Sequence, residues 1–362
     1  MSLSGSWSWY LVLLVLFLEA KVGFTHSKDG IWRDYITWND LKLEDHHRLP
    51  LRDVGGNNIP NKVIVVDKNG RGDSMTVQGA IDMVPENNAE RVKIHILPGV
   101  YREKVHIPAN KPYISLIGYE EEASATVIAW HDKASDKAWN GVWLGTWNSA
   151  SVSVESDYFC AMGITFQNTV VAQVGGVSGY QAVALRISGE KAMFYKVRFL
   201  GSQDTLLDET GSHYFFKCFI QGSTDFIFGN ARSLYQDCAI SVVGDGYAVA
   251  AQHRNSPDDE TGFSFVNCTV RGTGPVYLGR AWGNYSRIIY SHSELDINIR
   301  PGGWEDWRIP SRQSTVAFGE YECRGRGADR STRAQWSKAL NFFEARPFLD
   351  TTFIRGGEWL KL

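Results

Sequence analysis

The sequence predicts an all-β fold: a right-handed parallel β-helix with a short N-terminal helix cap and a C-terminal helical segment. Three observations carry this. A strand marker, apolar–x–apolar or Cys–x–apolar, recurs at Ile164-Thr165-Phe166, Val197-Arg198-Phe199, Cys218-Phe219-Ile220, Cys238-Ala239-Ile240 and Cys268-Thr269-Val270, in steps of 33, 21, 20 and 30. Polar or glycine-containing stretches, not helical patterns, separate the markers. A longer match, Gly201-Ser202-Gln203-Asp204-Thr205-Leu206 against Gly222-Ser223-Thr224-Asp225-Phe226-Ile227, is offset by 21, the same step as from Val197 to Cys218. Strands recurring at this interval without helices between them stack as coils around one continuous core. The alternative, a β-sandwich, shows spacings of about 8–12 residues and hairpin turns such as Asn-Gly.

Residues 1–23 read as a signal peptide. The run Tyr10 to Leu18 is uninterrupted and apolar, too short to span a bilayer, and followed by small residues at Ala20 and Gly23. The n-region lacks Lys and Arg, and an uncleaved anchor is the alternative reading. Residues 24–60 are polar and irregular, a linker or loosely docked arm; His46-His47 has no ligand spacing for a metal. The domain occupies 61–362. It opens with the β-type run Val63 to Val66, and a helix follows with Val77, Ala80, Ile81 and Val84 on one face, capped by Asp73 or Ser74. Strands are expected at Val92–Leu97, Tyr113–Ile117 and Ala125–Ile128, and helical periodicity returns around Ala334 to Phe343.

Composition narrows the function. Hydrophobic residues are 43% and charged residues 21%, enough apolar surface for a globular core. A net charge of −3 and a pI near 6.3 give no basic excess for nucleic acid. No further stretch is apolar enough to span a membrane, so no stable membrane association is expected. Aromatic residues reach 13%, with 13 Trp, which suits stacking on sugar rings as well as core packing. Asn267-Cys268-Thr269 and Asn284-Tyr285-Ser286 are glycosylation sequons. The five cysteines form no CxxC pair. Cys218, Cys238 and Cys268 fall in one inward column, as a disulfide plus a thiol or as a reduced stack.

On a β-helix the repeat puts Asp204 and Asp225 at one angular position of successive coils, about 5 Å apart along the backbone. Gln181 precedes Gln203 by 22 and falls in nearly the same column. Two carboxylates this close divide their protonation, one charged and one neutral. From spacing alone the pair reads equally as a catalytic couple or as a structural Asp ladder.

Six blocks then resemble, in order, the signatures of plant pectinesterases. These are Gly99-Val100-Tyr101-Arg102-Glu103, Gln181-Ala182-Val183-Ala184-Leu185-Arg186, Gln203-Asp204-Thr205-Leu206, Asp225-Phe226-Ile227-Phe228-Gly229-Asn230, Leu278-Gly279-Arg280-Ala281-Trp282 and Gly303-Trp304-Glu305-Asp306-Trp307. The resemblance implies a right-handed parallel β-helix that demethylesterifies cell-wall pectin (homogalacturonan) and releases methanol. It implies Asp225 as nucleophile, Asp204 as acid then base, Gln181 and Gln203 as oxyanion donors, Arg280 as the partner that keeps Asp225 ionised, and Trp282 and Thr146 at the sugar. No cofactor or metal is expected. Pectin is the implied partner, with a proteinaceous pectinesterase inhibitor as a second class; the chain is expected to be a secreted, cell-wall glycoprotein and a monomer of the shorter type without the inhibitor-like pro-domain. Departures fall at Leu207 (usually Tyr), Ala281 (usually Pro) and Ser212 to Phe216, and they concern subsites rather than catalytic groups.

The division of roles follows the chemistry. A carboxylate is a weak nucleophile and must be held ionised; methoxide is a poor leaving group and needs a proton; oxyanion charge needs neutral donors. On the same scaffold a lyase would need clustered acidic calcium ligands, and a polygalacturonase carboxylates spaced for glycoside hydrolysis. A non-catalytic pectin-binding wall protein would tolerate loss of these residues. No GxSxG elbow or HExxH cluster occurs. Trp304 and Trp307 read equally as core or cleft wall, Phe226 and Phe228 as packing on the side opposite Ile227, and His213 and Arg186 as structural.

Overall fold

The computed structural model describes residues 35–43, 63–172 and 178–362. The signal-peptide run, its cleavage candidates and His46-His47 lie outside the described residues, as does most of the 24–60 arm.

Within the described residues the chain winds as a parallel β-helix of three sheets. Sheet 1 has eleven strands, from Val63–Val66 to Lys338–Ala339. Sheet 2 has eight, from Gly99–Arg102 to Glu294–Asp296, and sheet 3 has eight, from Val105–Ile107 to Trp304–Glu305. From Val92 to Glu305 each coil visits sheets 1, 2 and 3 in turn, and every pairing within these sheets is parallel to the strand one coil away. The sequence markers are the sheet 2 strands in register: Phe166, Phe199, Ile220, Ile240 and Val270 stand in one column.

The coils bend sharply between sheets 1 and 2, and one backbone position makes the bend. Gly163, Lys196, Lys217, Asp237, Asn267, His292 and Glu322 all have φ between 47° and 62°, each immediately before the residue that turns into the core. The left-handed region costs non-glycine residues energy, which the stacked pairing on both sides overcomes. The inward residues that follow, Ile164, Val197, Cys218, Cys238 and Cys268, are buried. All five cysteines of the chain are free.

Inside, five rings stack at the strand spacing: Phe194 on Phe215 (4.7 Å), Phe215 on Tyr235 (4.5 Å), Tyr235 on Phe265 (4.7 Å) and Phe265 on Tyr290 (4.5 Å). The buried His213 sits beside this ladder. Its Nδ1 is 2.5 Å from Asp208 Oδ1, and Tyr235 donates to the other Asp208 oxygen at 2.6 Å. Burial disfavours the imidazolium, but Asp208, the Gly189 carbonyl and Glu190 together outweigh it and raise the His213 pKa. Arg186 bridges Glu155 and Glu209 on the outer face. Both residues serve structure.

The ends differ from the sequence expectation in two places, the helix cap and the C-terminal helix. The N-terminal helix, Val77–Asp82, buries Val77, Ala80 and Ile81, but its cap is Thr76, which accepts from Gly79 N at 3.0 Å. Glu103 adds its carboxylate to the Val77 and Gln78 N–H groups, so the Gly99–Glu103 block ties the cap helix to the end of the solenoid. Residues 35–43, part of the stretch read as a linker or loosely docked arm, dock: Ile36–Thr37 pairs with Leu360–Lys361, and Trp38 packs edge-on against Tyr195. The expected helix at 334–343 is absent. Lys338–Ala339 adds a strand to sheet 1, and a helix forms only at Phe342–Ala345, where Asn341 and Glu344 make a capping box. Among the described residues no helix is long and apolar enough to cross a membrane.

Candidate active site

The turns from sheet 2 to sheet 3 lie along one edge of the solenoid, and the site is built on them. Strand Arg198–Leu200 leads through 201–205 to Leu206–Asp208; strand Phe219–Gly222 leads through 223–226 to Ile227–Gly229. Leu206 pairs with Ile227 and Gln203 with Thr224, so Asp204 and Asp225 are neighbours on adjacent coils. Asp204 N donates to Thr224 O at 3.0 Å and Asp225 N to Ala248 O at 2.8 Å. Both aspartates have positive φ, 62° and 49°, a conformation Asp tolerates better than most residues. Gly222 lets the turn close, because a Cβ there would lie 2.2 Å from Phe226 Cβ. The left-handed Asp225 also resets the pleat. Phe226 and Ile227 both enter the core, and Phe228 alone faces out, which corrects the simple alternation expected for these three residues.

Arg280 arrives from the row Leu207, Phe228, Ala251, Arg280 across sheet 3. Its Nε is 3.0 Å from Asp225 Oδ1. The guanidinium lies 3.6 Å from the Trp307 ring centre and 5.1 Å from that of Tyr247, so aromatic faces fix its direction. Glu305, the register partner of Arg280, accepts from the Trp307 and Arg308 N–H groups and holds that turn.

Burial dominates both acid pKa values. Asp225 is pushed up to about 6 by burial, with Arg280 pulling down and Glu305 pushing up. Asp204 is raised well above the ordinary carboxylate range by burial and then by the charge of Asp225, against a smaller lowering by Arg280. Asp225 therefore ionises first and Asp204 keeps its proton. That order supplies a nucleophile and an acid side by side.

A cleft of about 370 Å³ opens over Asp225, lined also by Gln203, Thr224, Tyr247, Arg280, Glu305, Trp307 and Arg308; Asp204 lies behind this lining, one coil away. Beside it an apolar floor of Val183, Leu207, Phe228 and Ala251 carries Trp282, whose ring is 6.0 Å from Phe228 and 4.1 Å from His253. Thr146, on the short helix Gly145–Asn148, is half-buried; its carbonyl accepts from Ser149 Oγ, which accepts from Val183 N of the floor. Gln181 stands one residue off the column of Gln203. Leu185 pairs with Leu206, a step of 21 rather than 22, so Ala182 stands opposite Gln203 and donates to its carbonyl at 3.1 Å. Gln181 Oε1 accepts from Gly179 N at 2.8 Å, so what Gln181 has left to offer a substrate is its amide N–H pair. Of the two even readings, Trp304 is core, stacked 4.8 Å from Phe318, and Trp307 is cleft wall.

Tyr247, Thr224, Glu305 and Arg308 were not singled out from the sequence. Tyr247 was within reach, because it closes the next turn of the same edge, 22 residues after Asp225. Glu305 lay inside a recognised block.

The sequence and the fold are shared with known proteins. The Pectinesterase family model matches residues 63–357. Pectinesterase QRT1 of Arabidopsis thaliana is 54% identical over 365 residues, covering 96% of each chain. Probable pectinesterase 8 of the same plant is 44% identical over 307 residues, 82% of this chain and 76% of its own. Among solved structures, the pectin methylesterase from carrot has a TM-score of 0.74 at 36% identity, covering 84% of this chain and 96% of its own. The deglycosylated pectin methylesterase of Aspergillus niger gives 0.70 at 27%, covering 84% and 98%.

Proposed function

This chain belongs to the pectinesterase family and demethylesterifies pectin, and from that premise we propose that Asp225 and Asp204 perform the reaction in two steps. Ionised Asp225 attacks the carbonyl carbon of a methylated galacturonate. The oxygen that gains charge receives N–H bonds from the Gln203 and Gln181 amides, neutral donors that leave the aspartate pKa values alone. As the C–O bond breaks, Asp204 gives its proton to the departing methoxide, methanol leaves, and the acyl group stays on Asp225. Asp204, now a carboxylate, takes a proton from water, which attacks the acyl carbon; Asp225 departs ionised and the pectin keeps a free carboxylate. Arg280 holds Asp225 charged and aimed, and Trp282 and Thr146 flank the sugar.

The observation that carries this reading is the register of two buried aspartates on adjacent coils with Arg280 Nε 3.0 Å from one of them. A structural Asp ladder has no use for an arginine clamped between Trp307 and Tyr247. Asp225→Asn and Asp204→Asn, checked for native circular dichroism, test it by methanol release from methylated pectin. Loss of about 10³-fold or more supports the roles; full activity in Asp225→Asn removes the mechanism, and shortening of the polymer without methanol points to a lyase or polygalacturonase. Pectin methylesterases about 22% identical and of the same fold are known in complex with hexasaccharides, which supports an extended cleft here. The relatives' cell-wall substrate, with the apolar run at 10–18 and the exposed Asn267 and Asn284, supports secretion as a glycoprotein. The family resemblance adds a monomer as working unit and a proteinaceous inhibitor as partner class.

A further inference from the structure

The edge that carries Asp204 and Asp225 also carries the longest of the turns from sheet 2 to sheet 3, residues 131–151, between strands Thr126–Trp130 and Val152–Val154. Strand Val152–Val154 pairs with Leu185–Ile187, which pairs with Leu206–Asp208, so this turn stands two coils from Asp204, about 10 Å along the solenoid. Its tip is a small hairpin: Lys137 bridges Trp143, Ala138 N donates to Val142 O and Gly141 N to Ala138 O, both at 2.8 Å. The base is tied down, since Gly145 N donates to Ala134 O at 3.0 Å and Ala134 N to Gln181 O at 2.8 Å.

This rigid hairpin presents tryptophans to solvent. Trp139 is 98% exposed, Trp143 61% and Trp147 45%, with Val142 between them. Trp147 donates its indole N–H to Glu209 at 2.8 Å, which lays it beside the outer face of sheet 3. Large aromatics left in water on an ordered element mark a contact surface, and this one continues from the catalytic edge. Its charge fits a polyanion. Lys133 pairs with Asp136 and Lys104 with Asp132, while Lys137, 4.7 Å from the Trp143 ring centre, has no acidic partner among the described residues.

We propose that Trp139, Trp143 and Lys137 form a remote subsite for the pectin chain, in which flat aromatic faces stack on galacturonate rings and the ammonium meets the carboxylates left by earlier turnovers. The occupant is the polymer itself, several sugars from the ester being cleaved; the inference rests on the pectinesterase reading. The subsite does no chemistry. It increases the residence of long, partly de-esterified chains and leaves short ones indifferent.

The test is steady-state kinetics of Trp139→Ala and Trp139→Ala/Trp143→Ala on methylated pectin and on a methylated galacturonate trimer too short to reach the hairpin. For the double variant KM on pectin rises about tenfold, equivalent to roughly 1.4 kcal/mol, with kcat and all trimer parameters unchanged. The single variant, whose ring touches least of the fold, shows a smaller rise in the same direction. An unchanged KM on pectin overturns the proposal, as does an equal loss on the trimer. A dimer by light scattering, or tight capture of an inhibitor protein, that the substitutions abolish without moving the pectin KM assigns the face to a protein partner and also overturns it. Asp225→Asn separates the two levels: its full activity would remove the catalytic reading, whereas the hairpin variants leave that reading intact.

Discussion

Replacing Arg280 by Gln keeps amide donors in the cleft and removes one charge, 3.0 Å from Asp225. Asp225 is 7% exposed and already sits at about 6 because burial outweighs the guanidinium. An opposite charge at this range lowers a carboxyl pKa by about 1–3; without it, Asp225 rises by that much. At pH 7 the wild-type nucleophile is roughly 90% ionised; with a rise of about two it is roughly 10% ionised, so kcat/KM falls about tenfold from protonation alone. The sign fixes the test. Because the ionised form attacks, the deficit grows as pH falls and closes as pH rises through the new value. Methanol release measured from pH 5 to 9 should show the acid limb of kcat/KM moved to the alkaline side, with most of the loss relative to wild type recovered at the top of the range. An acid limb that stays in place, or moves toward acid, would refute the claim that Arg280 acts by holding Asp225 ionised.

Three further outcomes follow from the same structure. Asp204→Asn should lower kcat by about 10²–10⁴ and yet raise the melting temperature at pH 7. The folded state holds the Asp204 proton more tightly than the unfolded chain, so the native aspartate costs stability above the unfolded carboxyl value of about 3.8, and the variant's advantage should vanish near pH 4 in a fluorimetric melt. Phe215→Ala removes the ring between Phe194 and Tyr235 and should cost about 3–5 kcal/mol in urea unfolding. Cys218, Cys238 and Cys268 should be inert to a thiol reagent in the native protein and reactive once unfolded, since burial shields all three and raises the Cys218 and Cys268 thiols; a disulfide found by peptide mapping would contradict this.

Much of the architecture was legible because a solenoid writes its period into the chain. The column from Phe166 to Val270 and the pairing of Asp204 with Asp225 both came from counting residues between similar segments. Counting failed where the backbone leaves the strand. The strands keep a step of 21 while Gln181 and Gln203 are 22 apart, so Gln181 stands one residue off the Gln203 column. At Phe226 a left-handed aspartate inverts the alternation, and no residue pattern announces it. Ala334 to Phe343 has helical spacing, but Leu340 lies over Gly319 and Lys338–Ala339 finds a strand to pair with, so tertiary pairing overrides local preference. Tyr247 and Trp307 could each be placed near the edge from spacing or motif, but that both rings meet the Arg280 guanidinium is written in no spacing, because they reach it from different coils.

The partition of one proton between the stacked acids can be observed directly in the infrared carboxyl region of the protein at neutral pH, as the difference between wild type and Asp204→Asn. A protonated-carboxyl band present in wild type and missing from the variant is the predicted result. If wild type shows only ionised carboxylates there, no acid waits for the departing methoxide, and the two aspartates do not work as the couple described.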